Sequence, residues 1–237
     1  MSEPVAAAET AMWPAAVVGG VREGLAALAD AERAAGMRAY MRDQFPFLGV
    51  STPQRRRLVR AVLAALPPAT DGGTVLGAAE QLWGLPEREF TYAACDILAR
   101  HQRLLRPGVL EGQLRDLVLA RPWWDSVDSL AGGSIRPLII RNPELVEVMW
   151  AWSSSQDRWL VRVAITHQLG RKAATDADLL FRLCADHEGE REFFIAKAIG
   201  WALRDYAYTD PAAVVAFVAA HPNLAPVARR EALKHLR

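Results

Sequence analysis

The chain has 237 residues, of which 51% are hydrophobic and 23% are charged, so it can form one large core or a repeat array. Its 28 basic and 27 acidic residues give a net charge of +1, which excludes a uniformly basic nucleic-acid binder but allows one basic face. Cys95 and Cys184 lie in apolar helical patterns and indicate a reducing compartment rather than a disulfide scaffold.

The N-terminal residues, 1–12, are rich in alanine and lack the basic start and apolar core of a signal peptide. We expect a disordered extension there, followed by a single helical-repeat domain over residues 13–237. No apolar run approaches the ~18–20 residues of a membrane span, and no cysteine–histidine cluster has zinc-ligand spacing. We therefore expect a cytoplasmic monomer, associated with the nucleoid if the source is bacterial, without a membrane segment or a metal.

The apolar periodicity is helical throughout, and alternating β patterns are nearly absent. Prolines fall at the edges of the predicted helices, and the pairs Gly72-Gly73 and Gly132-Gly133 are predicted to form turns. A succession of helices joined by short loops indicates the all-α class. With ends placed to within ~2–4 residues, the predicted helices cover residues 14–34, 37–45, 53–66, 74–83, 86–101, 107–120, 122–132, 134–141, 143–152, 157–170, 175–187, 191–207, 210–220 and 225–236.

The stretch from Arg121 to Asp128 contains two adjacent tryptophans and two aspartates directly after Pro122, which suits the first turn of a helix. On a helix that begins there, Trp124 and Asp128 lie four residues apart and share one face. A tryptophan face beside a carboxylate can hold a cation or a developing positive charge. The alternative interpretation is that Trp123 and Trp124 belong to the core and that the aspartates are ordinary helix-terminal and surface charges.

An internal repeat of about 34 residues runs through the chain. Aromatic residues recur at Phe90, Trp124, Trp159 and Phe193, with spacings of 34, 35 and 34 residues. Five residues beyond these anchors, and beyond one more step on each side, every residue is small, as helices that cross closely require. We therefore predict a solenoid of about six helical pairs. The six small residues are Ala61, Cys95, Ser129, Ala164, Ala198 and Ala232.

Equivalent positions of successive repeats line one continuous surface in a solenoid, so we predict a concave, mostly basic groove. The alternative is that its charges are ordinary exposed charges on amphipathic helices, although this does not explain Trp201. Basic clusters at both ends of the array suit contacts with phosphates. The groove residues are Arg60, Asp128, Arg162, Lys197 and Trp201, and the terminal clusters are Arg55, Arg56, Arg57 and Arg60, and Arg229, Arg230, Lys234 and Arg237.

Six motifs, in this order and spacing, resemble the AlkD-type DNA alkylation repair glycosylases, which are built from HEAT-like helical repeats. Together they span most of residues 37–236. The resemblance implies a right-handed solenoid. The motifs are YMRDQFPFLGVSTPQRR from Tyr40, LWGLPEREF from Leu82, WWDSVDS from Trp123, WLVRVAITHQL from Trp159, EFFIAKAIGWALRDYA from Glu192 and ARREALKHL from Ala228.

Residue by residue, the resemblance implies that Asp128 is the catalytic carboxylate. It implies that Trp124 and Trp201 form aromatic walls beside the scissile nucleotide. It further implies that Tyr40 lines the same site and that Arg162 faces the DNA. Backbone contacts are implied for Arg56, Lys197, Arg204, Arg229 and Arg230.

The implied activity is hydrolysis of the N-glycosidic bond of N3- and N7-alkylated purines, such as 3-methyladenine and 7-methylguanine, in double-stranded DNA. It would begin base excision repair. Such a purine is cationic and already a good leaving group, so one aspartate can stabilise the sugar cation and orient water without a metal or a cofactor. Asp125 is interpreted as a helix-terminal charge, and His167 and His235 as groove or structural histidines. The alternative function is a non-catalytic helical-repeat module that binds DNA or protein.

Overall fold

The structure is a computed structural model that describes the backbone of residues 3–236 and the side chains of residues 12–236. Within these residues the chain is all-α, as predicted, and has no β-strand. It packs as two compact units, residues 1–113 and 114–237. The extension predicted over 1–12 lies, except for Met12, outside the described side chains. The extension and the single domain over 13–237 both stay predictions.

The first unit is built on a long N-terminal helix that packs against three others. Trp13, Val17, Val21 and Leu25 recur every four residues and form a buried stripe on this helix. The regular helices of the unit are α1 (Glu3–Ala27), α2 (Ala31–Tyr40), α3 (Thr52–Ala64), α4 (Gly72–Trp83) and α5 (Arg88–Arg100).

Side-chain caps set two helix starts that the sequence analysis misplaced. The prediction of one helix over 14–34 is wrong because the Asp30 carboxylate accepts the Arg33 N–H at 2.9 Å and starts a new helix, α2. The turn predicted at Gly72-Gly73 is also wrong. Asp71 accepts the Thr74 N–H at 2.8 Å, so α4 begins at Gly72.

The loop between α2 and α3 is held by a buried carboxylate on α5. Glu89 accepts the N–H groups of Leu48, Gly49 and Val50 at 2.8 to 3.1 Å. These three donors satisfy a carboxylate that has no exposed surface. The loop that follows Tyr40 is therefore fixed to the helix core of the first unit.

In the second unit, helices α7, α10, α12 and α14 pack side by side in that order, and α9, α11 and α13 pack against them. The pairs α9–α10, α11–α12 and α13–α14 agree with the predicted helical pairs, whereas the complete solenoid stays a prediction. The regular helices of this unit are α6 (Arg115–Leu119), α7 (Trp124–Leu130), α8 (Arg136–Arg141), α9 (Val146–Ser153), α10 (Arg158–Thr166), α11 (Ala177–Ala185), α12 (Phe193–Ala207), α13 (Pro211–Ala220) and α14 (Pro226–Ala232).

Both ends of α7 differ from the prediction. Trp123 is extended, so the helix begins at Trp124 and Pro122 lies outside it. The turn predicted at Gly132-Gly133 is wrong, because these residues lie in a π-helical turn, Ala131–Ile135, that runs without a break into α8. Such π turns occur within helices, often at functional sites.

Four of the six small residues predicted at helix crossings are buried, namely Cys95, Ala164, Ala198 and Ala232. The other two, Ala61 and Ser129, are exposed, so the expected register does not extend to α3 and α7. None of the helices in the described part of the chain is long and apolar enough to cross a membrane.

Candidate functional site

Asp128 lies on α7 and forms a two-point ion pair with Arg162 of the adjacent helix α10. Arg162 Nε donates to Asp128 Oδ1, and Nη2 donates to Oδ2, each at 2.8 Å. The Asp128 side chain is 18% exposed and that of Arg162 is 6% exposed. The carboxylate therefore keeps a solvent-facing side, whereas the guanidinium does not.

Each nitrogen of Arg162 already makes a hydrogen bond in this arrangement. Its third nitrogen, Nη1, donates to the backbone oxygen of Phe194 at 2.8 Å. These bonds give Arg162 a structural role, and its predicted contact with the DNA stays a prediction. The repeat spacing predicted that Arg162 belongs to the groove, but it did not show that Asp128, the carboxylate one repeat earlier, binds it. Arg162 orients Asp128, since a two-point pair fixes both oxygens.

Opposing effects set the charge of Asp128. Burial raises the pKa of Asp128 above its ordinary value, the hydrogen bonds and charge of Arg162 oppose this rise, and Asp125 adds to it. Both oxygens accept N–H donors from the cationic Arg162, an arrangement that favours the ionised form. The result is a carboxylate that is ionised, partly desolvated and fixed in orientation, which is suited to stabilising a developing positive charge.

Asp128 opens onto a cavity of about 260 Å³ in the second unit. Trp201 of α12 lines the same cavity, and the central guanidinium carbon of Arg162 lies 5.9 Å from its ring centroid. The structure thus brings together two of the three predicted catalytic residues, Asp128 and Trp201. The polar or aromatic residues of the lining are Asp128, Arg136, Thr166, Trp201 and Asp205.

The adjacent tryptophans have different surroundings. Trp123 is partly exposed and packs in an aromatic cluster with Trp159 and Phe194, at ring-centroid distances of 6.0 and 5.1 Å, which favours the core interpretation for this residue. Trp124 is partly exposed on the first turn of α7 and does not line the cavity that contains Asp128. Its predicted place as a wall of the site stays a prediction.

A family model described as "DNA alkylation repair enzyme" matches residues 21–236. The chain belongs to the DNA alkylation repair enzyme family. It is similar to a solved structure described as "Predicted DNA alkylation repair enzyme from Enterococcus faecalis", with 30% identity over 88% of this chain and 96% of that chain and a TM-score of 0.79. No curated protein matches it. The family resemblance found in the sequence is confirmed, and membership supports a role in DNA repair with DNA as the substrate.

Two basic residues for which DNA contacts stay predictions, Lys197 and Arg204, bind one carboxylate in the structure. Lys197 donates to Glu231 at 2.8 Å, and Arg204 donates to the other oxygen of Glu231. The hydrogen bond from Lys197 holds the pKa of Glu231 below its ordinary value. Lys197 is still 38% exposed, so it can contact a phosphate while it remains bound to Glu231.

The two arginines of α14 have different surroundings, because Arg229 bonds to the backbone of α13 and Arg230 is exposed. Arg229 donates to the backbone oxygens of Val218 and His221, at 3.3 and 3.0 Å, and so caps the C-terminal end of α13. These bonds engage two of the five N–H donors of Arg229, and its predicted contact with the DNA backbone stays a prediction. Arg230 is exposed and keeps its predicted role as a DNA contact.

Tyr40 and Arg56 belong to the first unit. Tyr40 is 72% exposed and borders an apolar groove that includes Met37 and Phe47. Arg56 is largely exposed and donates to Asp96 at 3.2 Å. Their predicted places beside the catalytic carboxylate and the DNA backbone stay predictions.

His167 is a structural residue rather than a groove residue. Its side chain is buried, and Nδ1 lies 2.6 Å from the backbone oxygen of Ala164. Burial lowers the pKa of His167 to about 4, so the ring is neutral at physiological pH. In the described part of the chain, no group of three or more histidine, cysteine or acidic residues is placed to hold a metal.

The sequence analysis missed Arg136 and Asp205, which also line the cavity. Helical spacing could have indicated both. Asp205 follows Trp201 by four residues, and Arg136 follows Asp128 by eight, so each shares a helix face with a residue already singled out. The turn wrongly predicted at Gly132-Gly133 hid the second relationship.

Proposed function

We propose that this protein is a monofunctional DNA glycosylase that removes cationic N3- and N7-alkylated purines from double-stranded DNA. The supporting observation is the Asp128 carboxylate, fixed by Arg162 and open to a cavity that Trp201 also lines. Family membership supports DNA as the substrate. The finer assignment to 3-methyladenine and 7-methylguanine rests on the chemistry that one carboxylate can perform.

A purine alkylated at ring nitrogen 3 or 7 becomes neutral when it leaves, so its departure needs no general acid. The remaining sugar develops oxocarbenium character, which an ionised carboxylate stabilises electrostatically. Arg162 takes one hydrogen-bonding direction of each Asp128 oxygen, and a carboxylate has about four such directions. Asp128 therefore retains acceptor capacity on its cavity side for the sugar cation and for the attacking water.

Trp201 contributes an aromatic face to the same cavity. A cation over a tryptophan face gains about 0.5–2 kcal/mol, depending on desolvation. This attraction acts on the cationic purine or the sugar cation and disappears once the neutral base has left. Trp201 therefore favours the charged species that precede base release.

The duplex would be held through its phosphates. Arg56, Arg230 and the exposed part of Lys197 are suited to this contact, because each side chain is accessible to solvent. Contacts to phosphates alone carry no sequence information, so we expect binding that is sensitive to salt and insensitive to sequence. Such binding suits an enzyme that must search for rare lesions.

Release of free modified base from methylated duplex DNA tests this proposal. Wild-type protein should release 3-methyladenine and 7-methylguanine and leave abasic sites without strand cleavage. Chromatography of the released bases and a gel assay of the strands would measure both. Salt-sensitive binding without base release would overturn the glycosylase proposal in favour of a non-catalytic DNA-binding module.

A further inference from the structure

Arg136 is the cavity residue that the proposed chemistry leaves without a role. It lies at the first position of α8, and its Nε donates to the backbone oxygen of His167 at 2.9 Å. This bond fixes the orientation of the guanidinium. Within the described residues, its terminal nitrogens Nη1 and Nη2 have no hydrogen-bond acceptor. Four N–H donors of a fixed cation therefore remain available beside Asp128.

Two glycines border these donors. A Cβ added to Gly132 would lie 3.8 Å from both terminal nitrogens of Arg136, and one added to Gly170 would lie 3.9 Å from Nη1. Gly170 has φ +78°, a conformation that favours glycine, and its N–H donates to Asp205 at 2.7 Å. No side chain therefore extends from these two neighbouring positions toward the guanidinium.

Four other cations of the second unit differ from Arg136, because each makes a hydrogen bond through a terminal nitrogen. The three guanidinium nitrogens of Arg162 are all bound, Lys197 and Arg204 bind Glu231, and Arg229 caps α13. We propose that Arg136 binds a non-bridging oxygen of one DNA phosphate next to the nucleotide whose sugar faces Asp128. This inference rests on the proposed function and identifies the anion contact of its cavity.

The surrounding charges explain why the contact between Arg136 and a phosphate would determine where the DNA backbone lies more than how tightly the DNA binds. Asp128 and Asp205 line the same cavity, and both repel a phosphate. Arg162 offsets the charge of Asp128, and the charge of Asp205 acts favourably on the Arg136 guanidinium. A phosphate can therefore approach only where the terminal nitrogens of Arg136 reach it. A planar guanidinium fixes that approach better than an ammonium group, because it offers two parallel donors.

Binding to a duplex with one tetrahydrofuran abasic analogue tests the inference without any chemistry. A series of such duplexes carries a single uncharged methylphosphonate at successive backbone positions. Wild-type affinity should fall at one position beside the analogue. Arg136→Gln should weaken binding about 10-fold, as expected for a hydrogen bond between charged groups. It should lower the log–log salt slope by about 1, and that methylphosphonate should then have no further effect.

Arg182→Gln is the matched control, because Arg182 is an exposed arginine of α11 that donates to the Asp178 backbone oxygen and does not line the cavity. It should keep the wild-type pattern of sensitive phosphates. Arg136→Lys should keep the salt slope but lose most of the positional effect. An Arg136→Gln variant that melts like wild type and keeps its phosphate pattern would overturn the inference. Base release by wild type from methylated duplex DNA, measured in a separate assay, would show that the proposed function stands independently.

Discussion

Two carboxylate–arginine pairs, one in each unit, are almost equally buried and yet differ in what they can do. Asp96 of the first unit is 17% exposed and binds Arg55, which is 7% exposed. Asp128 of the second unit is 18% exposed and binds Arg162, which is 6% exposed. Burial and pairing therefore do not distinguish the carboxylate proposed to be catalytic, Asp128, from Asp96.

The difference lies in the second neighbour of each carboxylate. Asp96 also accepts a bond from Arg56, at 3.2 Å, so its two oxygens neutralise two cations and hold α3 to α5. Asp128 has one cation, and its free side opens onto the cavity beside Trp201. The comparison teaches that a candidate catalytic carboxylate is recognised by an incomplete set of partners facing open space.

The largest effect is expected for Asp128→Asn, which keeps the size of the side chain and removes its charge. Base release in single turnover, with protein in excess, should fall by about 10²-fold or more, as for loss of one preorganised electrostatic group. DNA affinity should hold or rise, because a carboxylate repels phosphates.

The matched control is Asp96→Asn, which removes the same charge from the pair in the first unit. It should release base within a few fold of wild type under these conditions. Equal losses in both variants would end the distinction between the two carboxylates. A folded Asp128→Asn variant with nearly wild-type release would remove Asp128 from the mechanism.

A smaller loss is expected for Arg162→Lys, which keeps the positive charge but replaces two parallel donors with one ammonium group. Asp128 would then be less well oriented, and misplacement of a reacting group lowers the rate of the chemical step, here by about 10-fold. Arg55→Lys makes the same change at Asp96 and should leave the single-turnover rate unchanged. If Arg162→Lys weakened DNA binding and left that rate intact, Arg162 would be a DNA contact after all.

The repeat spacing in the sequence also relates the partners of two ion pairs, which the sequence analysis did not predict. The repeat period found from the aromatic anchors also separates two ion pairs, since Asp128 and Arg162, and likewise Lys197 and Glu231, stand 34 residues apart on adjacent helices. In each pair the two side chains bind each other across a helix interface, whereas the sequence analysis predicts that such charges line a basic groove. A period shows which positions are equivalent. Whether two charges at such positions pair or face a ligand depends on side-chain direction, which tertiary packing sets.

The error at Gly132-Gly133 had a similar origin. A glycine pair is unfavourable in a helix by about 1 kcal/mol per residue, so the local pattern favoured a turn. The structure keeps the chain helical there, and α7, the π turn and α8 form one continuous run. Tertiary packing outweighs the local preference of the glycines for a turn. Because the sequence analysis predicts a turn there, it does not relate Arg136 to Asp128. The all-α class was easier to predict, because helical periodicity recurs along the whole chain.

The free energy of unfolding should rank the two variants in the opposite order to base release, with the larger loss for Asp96→Asn and the smaller for Asp128→Asn. Asp96→Asn leaves Arg55, which is buried, without an ionised partner, so the free energy of unfolding should fall by about 1–3 kcal/mol. Asp128→Asn should cost less, because burial disfavours the ionised form of Asp128 in the folded protein. Urea unfolding of both variants measures the two losses. A larger loss for Asp128→Asn would mean that its ion pair mainly stabilises the fold.

The smallest expected effect, below about 1 kcal/mol, concerns the pH dependence of stability and compares Asp128 with Glu231. The pKa of Glu231 is held below its ordinary value of 4.5 by the hydrogen bond from Lys197. Ionised Glu231 therefore stabilises the folded state above that pH, and this contribution is lost as the pH falls through its folded pKa. The stability advantage of wild type over Glu231→Gln should shrink on acidification.

For Asp128 the pH dependence of stability should have the opposite sign, because the folded pKa of Asp128 lies above the ordinary value of 3.8. Its ionisation becomes unfavourable to the folded state as the pH rises, so the advantage of wild type over Asp128→Asn should grow on acidification. Urea unfolding of the three proteins between about pH 4 and pH 7 gives both slopes. Slopes of the same sign would show that Arg162 outweighs burial at Asp128, and the carboxylate of the cavity would then be held like that of Glu231.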